Sequence, residues 1–153
     1  MSGSVKLPSE SLAELFAHAR EGYPYEVCGL VMASGAVRRC DNRQNQLHAE
    51  DPEHFPRDAR TAYNIGPKDL MFLDRSQKSA DPVRIIYHSH VDVGAYFSDE
   101  DVRAATMDGE LLYPVDYLVV DVTKGEARVA KLFTFRDGKF VEIESYAGNS
   151  AGR

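Results

Sequence analysis

The sequence predicts an α+β fold, a mixed β-sheet packed with about three helices in a single domain spanning residues 1–153. Three observations lead there. Segments with helical apolar period alternate with short β-branched runs, and the last third is strands joined by glycine turns. The length suits one core. A composition 43% hydrophobic and 27% charged is that of a folded chain.

Taken in order, "LPSESLAELFAHAREG" reads as an amphipathic helix, with Leu12, Leu15, Phe16 and Ala19 on one face. Ser11 and Glu14 have the spacing of a capping box, and Gly22 suits the stop. "EVCGLVMAS" and "GAVRRCDN" read as two strands joined around Ser34 and Gly35. Residues 41–62 are polar, hold Pro52 and Pro56 and keep no period, which reads as a long loop, either substrate-facing or a plain surface excursion. A short strand "AYNI" and a helix "GPKDLMFLDRSQKS" follow, Pro67 being well placed in a first turn. "PVRIIYHSH" reads as a strand and "SDEDVRAATMDG" as a third helix that Gly109 ends. The remainder, "VDYLVVDV", "EARVAKLFTF" and "KFVEIES", reads as strands turning at Lys124-Gly125 and Asp137-Gly138. The tail "YAGNSAGR" reads as a loose end.

Bulk properties exclude several classes. The net charge of −6 with no basic stripe argues against nucleic-acid binding. Cys28 and Cys40 form no C-x-x-C, which disfavours a cysteine-based zinc site and a disulfide framework. No stretch approaches a membrane span, and "MSGSVKLPSESLAELF" has no apolar signal region, so the expected location is the cytoplasm.

The chemistry concentrates in "YHSHVDVGAYFSDED", residues 87–101. Alternate residues of a strand share a face, so His88 and His90 project together while Ser89 turns away. Val83, Ile85 and Ile86 give that strand a buried mount. Two imidazoles so placed can share one ion, usually zinc. A third ligand is available in Asp101, in the first turn of a helix opening at Ser98, with seven residues from His90 to bring it back. Two histidines and a carboxylate leave a coordination position open, as in catalytic zinc sites. Simpler readings stand beside this: Ser98-x-x-Asp101 is also a plain capping box, an H-x-H can be accidental, and Glu26 can be a solvated charge at a strand start. Ser89 reads as satisfying backbone, His18 as a helix-surface residue, and His48 and His54 as loop residues.

Taken jointly, H-S-H, seven residues, then S-x-x-D resembles the signature of the JAMM (MPN+) zinc metalloproteases. Glu26 in "YPYEVCGLVMA" matches the family's upstream glutamate, in a context similar to the bacterial, sulfur-carrier-processing members. The resemblance implies an MPN/JAMM-like, cytidine-deaminase-like layered domain and one zinc per chain on His88, His90 and Asp101. It implies Glu26 as general base and Ser98 as oxyanion donor. The implied activity is hydrolysis of an amide bond at the C-terminal Gly-Gly tail of a ubiquitin-like or β-grasp sulfur-carrier protein. That tail would be aligned by strand addition at a sheet edge. Two versions fit, maturation of the carrier and release of a cysteine or other adduct. The alternative is a catalytically silent MPN-type scaffold that binds a partner. Val91 and Phe97 stand where the family commonly has proline, implying altered loop shape and substrate fit.

Overall fold

The structure is a computed structural model that describes residues 7–148. It is an α+β domain in which a mixed six-stranded sheet is packed by four helices. The first helix, α1 (Ser9–Gly22), buries Leu15, Phe16 and Ala19. The expected capping box does not form. Pro8 is the N-cap, with no side-chain cap, and Ser11 lies inside the helix, donating its hydroxyl to the Gly35 carbonyl. Proline suits this place because it has no N–H to leave unpaired and its φ is already fixed.

Strands β1 (Cys28–Met32) and β2 (Val37–Cys40) form the expected hairpin, with Gly35 at φ 96° in its turn. The next segment departs from the open loop expected over 41–62, because it contains a helix, α2 (Gln44–Glu50). Amide side chains rather than apolar period hold it. Asn42 Oδ1 accepts from the Gln44 and Asn64 amides, and Asn45 Oδ1 accepts from the Ala59 amide. The expected strand "AYNI" reduces to one bridge, Asn42 to Ile65. Helix α3 (Pro67–Ser76) begins on Pro67.

Strand β3 (Val83–Val91) is central. Helix α4 (Asp99–Ala105) is shorter than expected. Asp108 and Gly109 take φ 53° and 80° and turn a small hairpin, β4 (Thr106–Met107) with β5 (Glu110–Leu111), so Gly109 does not end the helix. Strands β6 (Asp116–Thr123), β7 (Glu126–Arg136) and β8 (Lys139–Ala147) complete the sheet in the order β2-β1-β3-β6-β7-β8. Among the described residues only β3 and β6 pair in parallel. Of the expected loose tail, Tyr146 and Ala147 belong to β8, and residues 149–153 lie outside the described part.

Each face of the sheet has its own apolar cluster. Ile85, Tyr87, Leu118 and Val120 pack with Leu15 and Phe16 of α1. Leu30, Ile86 and Tyr117 pack with Leu73 of α3 and Ala105 of α4. A methyl group at Gly29 would overlap the Tyr87 ring, so only glycine lets that ring lie across β1. The alternation on β3 sends Tyr87 and Ser89 toward the α1 face and Ile86, His88 and His90 toward the α3/α4 face. β3 has a neighbour on both sides, and the sheet's edges are β2 and β8, neither holding a candidate site residue. A peptide tail therefore cannot pair with the histidine strand itself, and strand addition would have to use another edge. Among the described residues no helix is long and apolar enough to cross a membrane.

Candidate metal centre and cleft

At the C-terminal end of β3, His88 Nε2 lies 3.0 Å from Asp101 Oδ1, and His90 Nε2 lies 3.0 Å from Asp101 Oδ2. One ligand atom from each of the three residues falls within 4.8 Å of the others, and all three residues are buried. Asp101 reaches this point because α4 starts beside β3. The Ser98 hydroxyl accepts from the Asp101 amide at 3.1 Å, and Asp101 Oδ2 accepts from the Ser98 amide at 3.0 Å. The reciprocal capping box thus exists and aims the carboxylate at the imidazoles as well.

The donor set fits a cation. His90 Nδ1 is 3.1 Å from the Gly94 carbonyl. In a neutral ring that contact places the proton on Nδ1 and leaves the Nε2 lone pair facing the carboxylate. Both His88 ring nitrogens are buried without a hydrogen-bond partner, although Nε2 is close to Asp101. Lone pairs and carboxylate oxygens converging in a buried place repel one another unless a cation lies among them. Burial by itself would raise the Asp101 carboxyl. Without a cation, protonated His88 and His90 rings take its place, and their charge and hydrogen bonding outweigh burial and hold the group well below the usual carboxylate range. Two imidazole nitrogens with one carboxylate are the ligand types of zinc, with a position left open.

Glu26 enters the same region from just before the start of β1. Its backbone is fixed at both ends: its N–H donates to the Ala59 carbonyl at 2.7 Å, and its carbonyl accepts from Asn42 Nδ2 at 2.9 Å. The next residue, Val27, donates its N–H to the Ser89 hydroxyl at 2.8 Å and accepts from the Ser89 amide at 3.0 Å. Ser89 thus satisfies backbone, as read from the sequence, and in doing so ties the glutamate segment to the histidine strand. Glu26 is only 6% exposed. Burial, then the negative charge of Asp101, push its carboxyl up to about 9, with Arg57 acting in the opposite direction.

Glu26, His90 and Ser98 line one cleft of about 560 Å³. The five residues singled out in the sequence are therefore brought together at one end of the sheet. Four further participants had no signal of their own. Tyr63 stacks on His88, with centroids 4.3 Å apart and planes at 21°. Tyr96 meets His90 edge-on at 4.9 Å. Arg57 and Thr61 line the cleft from the segment after α2, the part of 41–62 that does face it. Phe97 packs on Tyr117, Phe133 and Phe140, so an aromatic anchor holds the approach to α4. His18 is not a bare surface residue. Its Nδ1 lies 2.6 Å from Tyr87 Oη, and burial lowers its pKa to about 4.

Proteins called CysO-cysteine peptidase in Mycobacterium bovis and Mycobacterium tuberculosis are 31% identical over 93 residues, 60% of this chain. The match spans 59% of the length of those relatives. The fold is similar to the solution structure of a protein from Desulfitobacterium hafniense, with a TM-score of 0.63 at 22% identity over 90% of this chain and 88% of that one. It is also similar to one from Salinibacter ruber, with a TM-score of 0.56 at 20% identity over 91% and 88%. Residues 8–133 match the Prok-JAB family model, so the chain belongs to the prokaryotic homologs of the JAB domain.

Proposed function

We propose that this chain is a zinc metallopeptidase that cuts an amide bond at the C-terminal Gly-Gly tail of a small ubiquitin-like or sulfur-carrier protein. The observation that supports it most directly is the convergence of His88, His90 and Asp101 beside a cleft that His90 lines together with Glu26 and Ser98. His88, His90 and Asp101 would hold the metal. Zinc bound there supplies a Lewis acid that polarises a carbonyl and makes water nucleophilic near neutral pH.

The protein's own groups do the rest. Glu26 accepts a proton from the attacking water and returns it to the leaving amine, which requires a carboxylate held in place at the cleft wall. Its raised pKa suits proton delivery, and a cation neutralising Asp101 would lower it and so favour proton uptake. The Ser98 oxygen accepts from the Asp101 amide, leaving its proton free to donate to the developing oxyanion. Of the two versions considered, the name of the mycobacterial relatives favours release of a residue appended to the carrier over maturation of the carrier. Two free, buried cysteines suit a reducing, cytoplasmic setting.

Elemental analysis of purified protein tests the metal, with about one zinc per chain expected and loss in His88→Ala and Asp101→Ala. Glu26→Gln should keep zinc while turnover of a carrier-cysteine adduct, followed by product mass, falls by about 10²–10⁴. Unchanged zinc in both ligand variants would overturn the ligand assignment. Wild-type turnover in Glu26→Gln would overturn the general base. Zinc binding without turnover by the wild type would favour the scaffold reading.

A further inference from the structure

Three arginines line the cleft, Arg57, Arg60 and Arg103. Two are engaged: Arg60 Nη2 bonds Asp58 at 2.8 Å, and Arg103 Nη2 bonds Glu100 at 2.6 Å. Arg57 has no carboxylate partner among the described residues, and its side-chain hydrogen bond to the Thr61 carbonyl is long, at 3.4 Å. Its guanidinium fork is therefore almost wholly available to a ligand. It also stands by the proton-transfer group. Its charge acts on the Glu26 carboxyl, and the two segments are joined by the bond from the Glu26 amide to the Ala59 carbonyl.

We propose that Arg57 forms a subsite for a free α-carboxylate, so that the substrate class is a carrier tail extended by one C-terminal residue. The proposal rests on the hydrolytic reading above and narrows it. Glu26 must reach the leaving nitrogen to protonate it. In a C-terminal residue one Cα separates that nitrogen from the carboxylate carbon, a span of about 2.5 Å from standard bond lengths. The anion thus falls within a side chain's reach of Glu26, where Arg57 is found, and a guanidinium can grip it with two parallel hydrogen bonds. Asp99 and Glu100 on the α4 side of the cleft disfavour the opposite placement of a negative charge. An isopeptide bond offers no such anion, because its leaving amine ends a four-carbon stem. An internal peptide bond offers only a neutral carbonyl there. In an acidic chain of net charge −6, an uncommitted cation in the cleft is a specific device for anion capture.

The test uses the zinc-loaded protein and two reduced peptides of one sequence ending in Gly-Gly-Cys, one a free acid and one a C-terminal amide. The wild type should favour the acid by about 10–100-fold in kcat/KM, the size expected of a charge-assisted hydrogen bond. Arg57→Gln should lose that discrimination and Arg57→Lys should retain part of it. Calorimetric titration in a Glu26→Gln background gives a readout free of turnover: the acid should bind more tightly than the amide, and adding Arg57→Gln should erase the difference. Equal cleavage or equal binding of the two peptides by the protein with Arg57 intact would overturn the subsite while leaving the hydrolase standing. Neither cleavage nor binding of either peptide would remove the hydrolytic reading, and this inference with it.

Discussion

Glu26 is the residue where folding and chemistry pull in opposite directions. A carboxyl raised from 4.5 to about 9 by burial and by Asp101 is protonated in the metal-free fold at pH 7 and ionised in the unfolded chain. The sign follows from linkage. Its contribution to stability is fully present below pH 4.5, declines as pH rises, and is gone above pH 9. Within that window the loss is up to about 1.4 kcal/mol per pH unit. In chelator-treated protein, Glu26→Gln should therefore melt progressively higher than wild type as pH is raised from 5.5 to 8. A melting difference that stays constant with pH would contradict the assignment. Arg57 is the counterexample for legibility at this scale. Nothing in a polar, aperiodic run marks which of its charged residues will face a cleft, because that depends on amide staples from Asn42 and Asn45 that have no sequence period. His88, His90 and Asp101 were legible because strand alternation and first-turn geometry are local rules.

Among elements, the contact between the start of β1 and the end of β3 matters most. The Ser89 hydroxyl is buried and accepts the Val27 amide, so Ser89→Ala leaves a buried donor unpaired beside Glu26. A loss of about 1–3 kcal/mol is expected. Thermal melts check it, with turnover reduced and zinc content kept, because the histidines remain on their strand. Loss of zinc with an unaltered melting temperature would refute this role. Helices were legible where an apolar stripe met a starter residue, as in α1 and α3. They were misjudged where side-chain chemistry decided the outcome. Ser11 reaches Gly35 on the neighbouring hairpin instead of capping its own helix, a choice only the tertiary fold makes available. Gly109, expected to end the helix, turns a hairpin instead because Thr106 and Met107 pair with Leu111 and Glu110.

For the whole molecule, two apolar clusters stabilise the sheet from both faces without help from the candidate centre. The ligands are held by the scaffold too, His90 through Gly94 and Asp101 through Ser98. Chelation should therefore leave far-UV circular dichroism unchanged and lower only the melting temperature. Zinc at a hundred times its dissociation constant adds about 2.7 kcal/mol, or roughly 5–10 °C for a domain of this size. Collapse of the spectrum on chelation would show instead that the metal is required for folding. The layered class was legible from the order of apolar runs. The parallel pairing of β3 with β6 was not, since it depends on the crossover through α4 and the small hairpin.

One remote contact reaches the centre by a mechanical route. Just beyond the histidine strand, Asp92 has φ 60° and accepts from Tyr23 Oη at 2.8 Å and from the Lys124 amide at 2.7 Å. Three places far apart along the chain are thereby buckled together two residues from His90. The tight bend at Lys124-Gly125 touches no ligand, yet it is a handle on the imidazole's seating. Lengthening that bend would unbuckle Asp92 and let the whole rim of the cleft drift.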